Sequence, residues 1–378
     1  MNIISNDRFV SLFNRNNSIS FSEFKSKARV RVSNGKLVDL NDYVRSGRKV
    51  PHDDLHNLFE HIKTRDAYLR RFYNKSLKPT YLNELRKKKP MSKDELNNNS
   101  LVQFKNIIRN IHYRDILEHT QSGLDIPSFL TVLKELYYDQ IIDYKLLTPS
   151  ALFYIKQNRI GSVFSTFYFR ASILNPYLVY SLNRSLLKGS RIFTPTLGWS
   201  SYCYGFLECD DVVEYVGTDV MKSVCEKTRD FARTFYKDKH VSIYCSPSED
   251  LFHKKTFLRK YLEHFDVVFF SPPYYDLEKY PGKDQSTNRY RNYNEWLHGY
   301  WLETIQLCYA VLEKGGRLCY ILSDYGSDQT GKYYSLVEDM NTIASTFFKK
   351  KQILPMYNKN ANMTKHRSTD EKIMVFVK

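Results

Sequence analysis

Four consecutive residues, Ser271-Pro272-Pro273-Tyr274, have the clearest capacity for chemistry. They follow the apolar run 265–270, which has the composition of a buried strand. Two successive prolines fix the backbone, because each ring locks its own φ angle. The Ser271 hydroxyl and the Pro272 carbonyl are oxygen acceptors, and the Tyr274 ring can stack on a planar group. The motif therefore predicts a rigid turn that holds an aromatic amine.

An amine attached to a nucleic-acid base is a poor nucleophile, because its lone pair is delocalised into the ring. Acceptors directed at its two N–H bonds pull the nitrogen toward tetrahedral geometry and free that lone pair. Most of the catalytic benefit then comes from positioning and electrostatics. A base in a duplex must first be extruded from the stack, which costs a few kcal/mol. We therefore predict that Ser271, Pro272, Pro273 and Tyr274 are the catalytic residues.

The segments that must position this turn lie in the second part of the chain, where short apolar runs alternate with helical stretches. The strand candidates are 191–193, 214–217, 240–244, 265–270, 317–322 and 372–377. The helix candidates between them are 220–236, 256–263, 293–312 and 334–348. Such alternation is typical of a parallel α/β sheet, and ligands of these sheets bind at the carboxyl ends of the strands.

The first part of the chain has a different character. Up to about residue 150 the pattern is mainly helical, as in 53–73, 101–119 and 126–136, and it contains no reader motif that we identify. The basic run 86–89 offers Lys87, Lys88 and Lys89 to a phosphate backbone, although a solvated loop explains it equally well. We predict two domains, a mainly helical basic region over 1–160 and an α/β domain over 161–378.

The Ser-Pro-Pro-Tyr turn resembles the hallmark (D/N/S)-P-P-(Y/F) of the DNA amino-methyltransferases, which methylate adenine N6 or cytosine N4. The order of other segments agrees with that family. Pro195 and the pair Gly198-Trp199 follow the first strand, where they resemble the family's D-P-x-x-G-W-G loop. Thr194 and Ser200 depart from that pattern. The resemblance covers roughly residues 165–378.

This resemblance implies a Rossmann-like domain, with a mostly parallel seven-stranded sheet and helices on both faces, and S-adenosylmethionine as the cofactor. It assigns Asp219 to the ribose hydroxyls, Asp250 to the adenine, and Phe169 and Arg170 to the methionine part. The full set of implied cofactor contacts is Phe169, Arg170, Pro195, Gly198, Trp199, Asp219, Asp250 and Ser271. An acid in the position of Asp219 is also a common helix N-cap.

The implied partner is nucleic acid, and DNA is the first expectation. The loop 276–292 lies next to the motif in sequence, so we predict that Tyr275, Lys283, Arg289 and Arg291 contact the target strand. The chain has 57 lysines and arginines against 41 acidic residues, a net charge of +16. That surplus suits a polyanionic partner, although basic composition can simply aid solubility.

Six cysteines form neither a CxxC pair nor a cluster with histidine, so no metal is predicted. We expect a reduced intracellular protein, cytoplasmic or nuclear, that is neither secreted nor inserted in a membrane.

The sequence disfavours several other functions. Methylation at cytosine C5 is disfavoured because no cysteine follows a proline, and the sequence lacks a G-x-x-x-x-G-K-[ST] phosphate loop. A small-molecule or protein methyltransferase has no need of the Ser-Pro-Pro-Tyr turn. Two alternatives stay open, a catalytically inactive nucleic-acid-binding subunit and an RNA adenine methyltransferase. The choice between adenine and cytosine also stays open.

Overall fold

The computed structural model of the 378-residue chain describes most of the sequence. The residues outside the description are Met1, 15–18, 47–49, Tyr81, 119–126, Phe169, Lys279, Pro281, 328–331 and 357–370. Residues 79–112 and 172–378 form one compact unit, the sheet unit. Residues 2–78 and 113–171 form a second, the N-terminal unit. The boundary predicted between residues 160 and 161 stays a prediction.

The strands of the described residues are numbered in chain order. They are Arg29–Arg31 (β1), Leu37–Asp39 (β2), Ile141–Asp143 (β3), Arg191–Thr194 (β4), Glu214–Asp219 (β5), His240–Cys245 (β6), Phe265–Phe270 (β7), Leu312–Leu322 (β8), Tyr325–Ser327 (β9), Lys332–Tyr334 (β10), Lys349–Pro355 (β11) and Lys372–Val377 (β12).

The α-helices of the same residues are numbered likewise. They are Asn6–Ser11 (α1), Phe21–Lys27 (α2), Leu40–Arg45 (α3), His52–Lys63 (α4), Arg65–Ser76 (α5), Lys105–Ile111 (α6), Tyr113–Glu118 (α7), Phe129–Lys134 (α8), Pro149–Lys156 (α9), Ile160–Phe167 (α10), Pro176–Leu182 (α11), Ser201–Leu207 (α12), Lys222–Phe235 (α13), Ser248–Phe252 (α14), Lys255–Tyr261 (α15), Ser286–Arg289 (α16), Tyr293–Trp296 (α17), Glu303–Val311 (α18) and Leu336–Ser345 (α19). Within the described ranges, no helix is long and apolar enough to span a bilayer.

The sheet unit is built on seven strands in the order β11-β12-β8-β7-β4-β5-β6. The central pairings from β8 to β6 are parallel, whereas β12 runs antiparallel to both β8 and β11. The strand order reverses beside β4, because β5 and β6 extend to one side of it and β7 pairs on the other. A crevice at such a reversal is the usual ligand site of an open α/β sheet. The Rossmann-like fold class predicted from the sequence is confirmed.

Local contacts fix the register at the centre of the sheet. Asp266, at the start of β7, accepts backbone N–H groups of Ser190 at 3.0 Å and Arg191 at 3.1 Å. These bonds join the starts of β4 and β7, so the carboxyl ends of the two strands come out side by side. The last four residues of β7 are fully buried, which explains its unbroken apolar sequence.

The N-terminal unit has a core of aromatic side chains. Phe72 stacks on Phe9 and Phe129 with ring centroids 5.8 and 5.5 Å apart, and Phe164 lies 5.5 Å from Tyr68. A small sheet in the order β2-β1-β3 belongs to the same unit. The mainly helical character predicted for the first part of the chain is therefore accompanied by three short strands.

Candidate active site

The Ser-Pro-Pro-Tyr turn leaves the carboxyl end of β7, next to the end of β4. The backbone N–H of Ser271 donates to the Tyr202 hydroxyl at 3.1 Å, and Tyr202 lies in α12, directly after the loop that leaves β4. The same tyrosine leaves no room for a side chain at position 198, because a Cβ at Gly198 would lie 2.3 Å from the Tyr202 ring. The Ser-Pro-Pro-Tyr turn and the glycine loop thus lie against one side chain.

The glycine loop contains three successive left-handed residues. Gly198, Trp199 and Ser200 have φ angles of 50°, 59° and 68°. Each non-glycine residue in this region costs about 1–2 kcal/mol, so the loop must be held by its surroundings. The buried Ser200 hydroxyl does this, because it lies 2.8 Å from His112 Nε2 and 2.6 Å from Thr228 Oγ1. Ser200, one of the two departures from the family loop, is therefore an anchor of the strained backbone.

Thr194, the other departure from the family loop, also has a hydrogen-bond partner. Its side chain is buried, and its Oγ1 lies 2.7 Å from the Tyr215 hydroxyl. Pro195 beside it is buried too. Both departures from the family pattern thus have contacts that stabilise the loop and its strand.

Asp219, at the end of β5, is hydrogen-bonded to the backbone of the glycine loop. Its carboxylate accepts the backbone N–H of Leu197 at 3.2 Å and of Met221 at 3.0 Å. Burial raises the pKa of Asp219, although these N–H groups act in the opposite direction. The N-cap of α13 is Met221, so Asp219 does not cap that helix. A carboxylate has about four acceptor sites, and those left over can accept ribose hydroxyls.

Ser271 presents acceptors in a defined direction. Its hydroxyl donates to the Ile321 carbonyl in β8 at 3.2 Å. Because the only proton of the hydroxyl is committed to that bond, the oxygen offers lone pairs to any further partner. This is the state needed to accept an N–H from an amine.

The phenol of Tyr274 is held at its far end. Its oxygen accepts the backbone N–H of Ser323 at 3.0 Å and donates to Glu371 Oε1 at 3.4 Å. Burial raises the pKa of Tyr274 well above its usual range, and the Glu371 charge adds to the effect. The phenol is therefore neutral, and its oxygen is held in place.

A buried titratable cluster adjoins Tyr274, and sequence reasoning missed it. Glu278 accepts the backbone N–H of Ser172 at 3.3 Å and the hydroxyl of Tyr280. Burial, with a smaller contribution from the charge of Glu371, raises the pKa of Glu278 to about 7. Burial likewise lowers the pKa of Lys105 to about 7, while Glu371 acts to raise it. Glu278 and Lys105 thus both have a pKa near neutrality, and the charge of Glu371 acts on each of them.

We expect the Glu278→Gln variant to lose part of the pH dependence of stability. Between the ordinary carboxyl pKa of 4.5 and about 7, folded Glu278 keeps a proton that the unfolded chain has released. Stability contributed by the protonated group is therefore lost as the pH rises through this window. Thermal midpoints measured from about pH 5 to pH 7 should fall less steeply in the variant than in the parent.

The matched control for this measurement is Glu226→Gln, which changes an exposed carboxylate on α13. It should keep the slope of the parent protein. An unchanged slope in Glu278→Gln would show that Glu278 is ionised in the folded state.

Asp250 and Arg289 are paired with each other in the structure. Arg289 Nη2 lies 2.7 Å from Asp250 Oδ1, and Arg289 Nη1 lies 3.0 Å from Glu249 Oε1. Glu249 is buried, and burial raises its pKa to about 7. These ion pairs fasten the segment 282–292 to α14. The predicted roles of Asp250 in cofactor binding and of Arg289 in nucleic-acid binding stay predictions.

The other residues predicted to touch nucleic acid in this segment differ in their surroundings. Tyr275 packs in an aromatic cluster, with centroid distances of 5.4 Å to Tyr293, 5.7 Å to Trp296 and 5.1 Å to Tyr334. In contrast, Lys283 and Arg291 are exposed.

The basic run 86–89 is an ordered part of the sheet unit. The Lys88 carbonyl accepts the Tyr180 hydroxyl at 3.1 Å, and the Lys89 carbonyl accepts the Tyr177 hydroxyl at 2.7 Å. Both tyrosines belong to α11. Lys87 lies at the surface, with its Nζ 2.7 Å from Glu84. The run is thus pinned by its backbone while its lysine side chains face outward or lie partly exposed.

Two predicted cofactor contacts, Phe169 and Arg170, come from the segment directly before residue 172. Arg170 belongs to the N-terminal unit, where its guanidinium lies 6.0 Å from the Phe72 ring and 5.4 Å from the Phe129 ring. Phe169 lies outside the described residues. The cofactor roles of both stay predictions.

Comparison with known proteins adds a family. Residues 265–378 match the DNA methylase family, N6_N4_Mtase. No curated protein matches the chain.

Similar solved structures include the N-methyltransferase NodS from Bradyrhizobium japonicum WM9 in complex with S-adenosyl-L-homocysteine. It is 14% identical, with a TM-score of 0.35, over 53% of this chain and 82% of that chain. TrmN from Thermus thermophilus is 13% identical, with a TM-score of 0.35. The match covers 54% of this chain and 48% of TrmN. An rRNA methylase from Streptococcus thermophilus is 15% identical, with a TM-score of 0.33. The match covers 55% of this chain and 99% of that methylase.

The matched segment begins at β7 and contains the Ser-Pro-Pro-Tyr turn, Glu278 and Glu371. The family resemblance predicted from the sequence is thus confirmed over residues 265–378, which match the DNA methylase family.

Proposed function

We propose that this protein transfers the methyl group of S-adenosylmethionine to the exocyclic amino group of adenine (N6) or cytosine (N4) in DNA. One observation carries the proposal. Ser271, with its lone pairs free to accept, and the strained loop at Gly198 lie against the same tyrosine, Tyr202. An amine acceptor and a cofactor loop are thereby side by side at the reversal point of the sheet.

The residues present fit the cofactor. Gly198 has no room for a side chain, and the loop around it holds a strained backbone conformation of the kind found at ligand sites. Asp219 would hold the ribose hydroxyls with the acceptor capacity left after its backbone bonds. Trp199 is mostly buried, with its ring 5.6 Å from that of Tyr280. When bound, S-adenosylmethionine would supply an electrophilic methyl group. Its sulfonium C–S bond would break as the new N–C bond formed, S-adenosylhomocysteine would leave, and the amine proton would pass to solvent.

The chain's own residues would prepare the amine. The Ser271 oxygen accepts one N–H and the Pro272 carbonyl accepts the other, which directs the nitrogen lone pair away from the ring of the base. Tyr274 stacks on the extruded base, and the far end of its side chain is held in place because its hydroxyl is bonded to Ser323 and Glu371. These groups act by position, and none of them forms a covalent bond to the base.

The departures of Thr194 and Ser200 from the family loop are the reason to consider an inactive subunit that has lost cofactor binding. The structure gives both residues stabilising partners within the loop and its strand, so their presence does not argue for a degraded site. This favours the enzyme.

The test is to incubate the protein with methyl-labelled S-adenosylmethionine and separate samples of DNA and RNA, and then to analyse the nucleosides by mass spectrometry. We expect labelled N6-methyldeoxyadenosine or N4-methyldeoxycytidine. Label confined to ribonucleosides would move the substrate to RNA. No detectable calorimetric binding of S-adenosylmethionine or S-adenosylhomocysteine by the folded protein would favour the inactive subunit.

The cofactor assignment gives a separate prediction for Asp219→Asn. The amide keeps the size of the carboxylate but lacks its charge, and hydrogen bonds to charged groups are worth about 1.5–3 kcal/mol. We expect S-adenosylmethionine to bind about 10- to 100-fold more weakly, as measured by isothermal titration.

Asp230→Asn is the matched control, because Asp230 is a carboxylate on the solvent side of α13. It should bind the cofactor like the parent protein. Unchanged affinity in Asp219→Asn would remove Asp219 from the cofactor site.

A further inference from the structure

Helices α9 and α10 of the N-terminal unit form a compact pair joined by three residues, 157–159. The Thr148 side chain caps α9 by accepting the Ala151 N–H at 3.4 Å. At the other end Asn158 has a φ of 58° and donates its N–H to the Ile155 carbonyl at 2.9 Å. Arg159 donates to the Tyr154 carbonyl at 2.9 Å. These two bonds make a Schellman stop, which reverses the chain sharply before α10 begins.

The second helix is anchored on one side only. Ile160, Val163 and Phe164 are buried, and the Phe164 ring lies 5.5 Å from Tyr68 and 6.1 Å from Phe129. The first helix is tied to α4, because Ile155 O lies 2.9 Å from His61 Nε2. Two short helices joined by a three-residue turn, with one face of the second packed in the core, have the connectivity of a helix-turn-helix.

The opposite face of α10 is polar and accessible. Ser165 and Thr166 are exposed, and Ser162 is partly exposed. Lys156 and Arg159, at the end of α9 and in the turn, are exposed as well. The Arg159 guanidinium lies 4.9 Å from the Tyr154 ring, which orients it at the surface.

The charge of this segment is one-sided. Residues 144–168 contain Lys145, Lys156 and Arg159 and no acidic residue. A polyanion therefore meets no carboxylate from this stretch of the chain. Hydroxyl groups on a helix that directly follows Lys156 and Arg159 suit base edges flanked by phosphates.

We infer that α10 is a recognition helix that enters the major groove of duplex DNA and reads bases with Ser162, Ser165 and Thr166, while Lys156 and Arg159 contact phosphates. In a helix-turn-helix the second helix lies in the groove and the first crosses the backbone. Duplex RNA is a poor fit, because its major groove is too deep and narrow for a helix. The inference rests on the proposed function for its substrate, DNA, but it uses residues of the other unit.

The phosphate contacts are tested with the full chain and a fluorescein-labelled random 30-base-pair duplex, by anisotropy at several salt concentrations. We expect Lys156→Glu and Arg159→Glu each to weaken binding about tenfold or more and to lower the salt slope by about one. Lys237→Glu is the control. It makes the same charge change in an exposed turn of the sheet unit, before β6, and should bind within about twofold of the parent.

Thermal midpoints of these three variants should match that of the parent, because the mutated side chains are exposed. Binding of Lys156→Glu and Arg159→Glu with the affinity of the parent, or no duplex binding by the parent, would overturn the inference.

Base reading is tested by selecting duplexes from a randomised library. The parent should enrich a sequence motif, and a Ser165→Ala, Thr166→Ala double variant should lose the preference at particular positions while keeping its affinity for unselected duplex. An identical motif in the double variant would overturn the inference.

Failure of the two proposals can be told apart. If duplex binding depends on Arg159 but no base is methylated, the methyltransferase proposal is wrong and the recognition helix is supported. Methylation of dilute DNA by Arg159→Glu at the parental rate sinks the recognition helix alone.

Discussion

Replacement of Ser271 by alanine should lower the rate of methyl transfer about 100- to 1,000-fold, the usual cost of removing one preorganised hydrogen-bond partner from a transition state. The hydroxyl proton is engaged by the Ile321 carbonyl, so the serine oxygen acts only as an acceptor toward the substrate. Alanine removes that acceptor and leaves the backbone bond from Ser271 to Tyr202 in place. Single-turnover transfer of label from S-adenosylmethionine to DNA measures the effect.

The threonine variant is the control for this serine. Ser271→Thr keeps a hydroxyl at the same atom and should recover most of the rate lost in Ser271→Ala. The affinity for S-adenosylmethionine should change far less than the rate in both variants. A transfer rate in Ser271→Ala equal to that of the parent would rule out Ser271 as an acceptor for the amine.

The second large effect is expected at Tyr274. Stacking of a base on an aromatic ring is worth about 1–3 kcal/mol by alanine substitution, which corresponds to roughly 5- to 150-fold. Tyr274→Ala should therefore lower kcat/KM for DNA toward the upper end of this range, because it also releases Ser323 and Glu371. Titration calorimetry should show little change in cofactor affinity.

Tyr274→Phe separates the ring from its hydroxyl. It keeps the stacking surface and loses the bonds to Ser323 and Glu371, so we expect a loss of less than about tenfold. If phenylalanine were as damaging as alanine, the hydroxyl contacts and not the ring would be the important part of Tyr274.

The core of the site was predictable from sequence because its signals are local. The apolar run of β7 ends at two prolines, and these facts alone place Ser271 at the end of a buried strand. Asp219 at the end of β5 followed from the same reasoning. Each of these predictions needed only a strand and the residues directly after it.

The buried charges could not be predicted, because they depend on contacts between distant segments. Lys105, Glu278 and Glu371 are far apart in sequence, and each looks like an ordinary surface residue in its own segment. Only the fold removes Lys105 and Glu278 from water and shifts the pKa values of these two groups. The order of residues in the chain carries no trace of this burial.

Two elements were misjudged for local reasons. The helix predicted over 53–73 is two helices, His52–Lys63 and Arg65–Ser76, because the chain leaves helical geometry at Thr64. Strand β11, Lys349–Pro355, was missed because its three lysines hide the apolar alternation. Lysines on an edge strand hinder pairing with another chain, which explains their presence there.

The helix-turn-helix was missed because its turn carries Asn158 where glycine is the familiar signal. Asparagine tolerates the left-handed conformation for the same purpose, but it does not stand out in a chain rich in asparagine.

Residues 79–112 form part of the sheet unit while the segments on either side of them belong to the N-terminal unit. The polypeptide therefore passes between the two units three times, and no single cut can separate them into intact halves. A fragment that started at residue 161 would lack His112, which bonds Ser200 in the strained loop, and Lys105, which neighbours Glu371. A shortened protein that is meant to keep this loop and its anchor therefore needs residues 79–112 as well as 172–378.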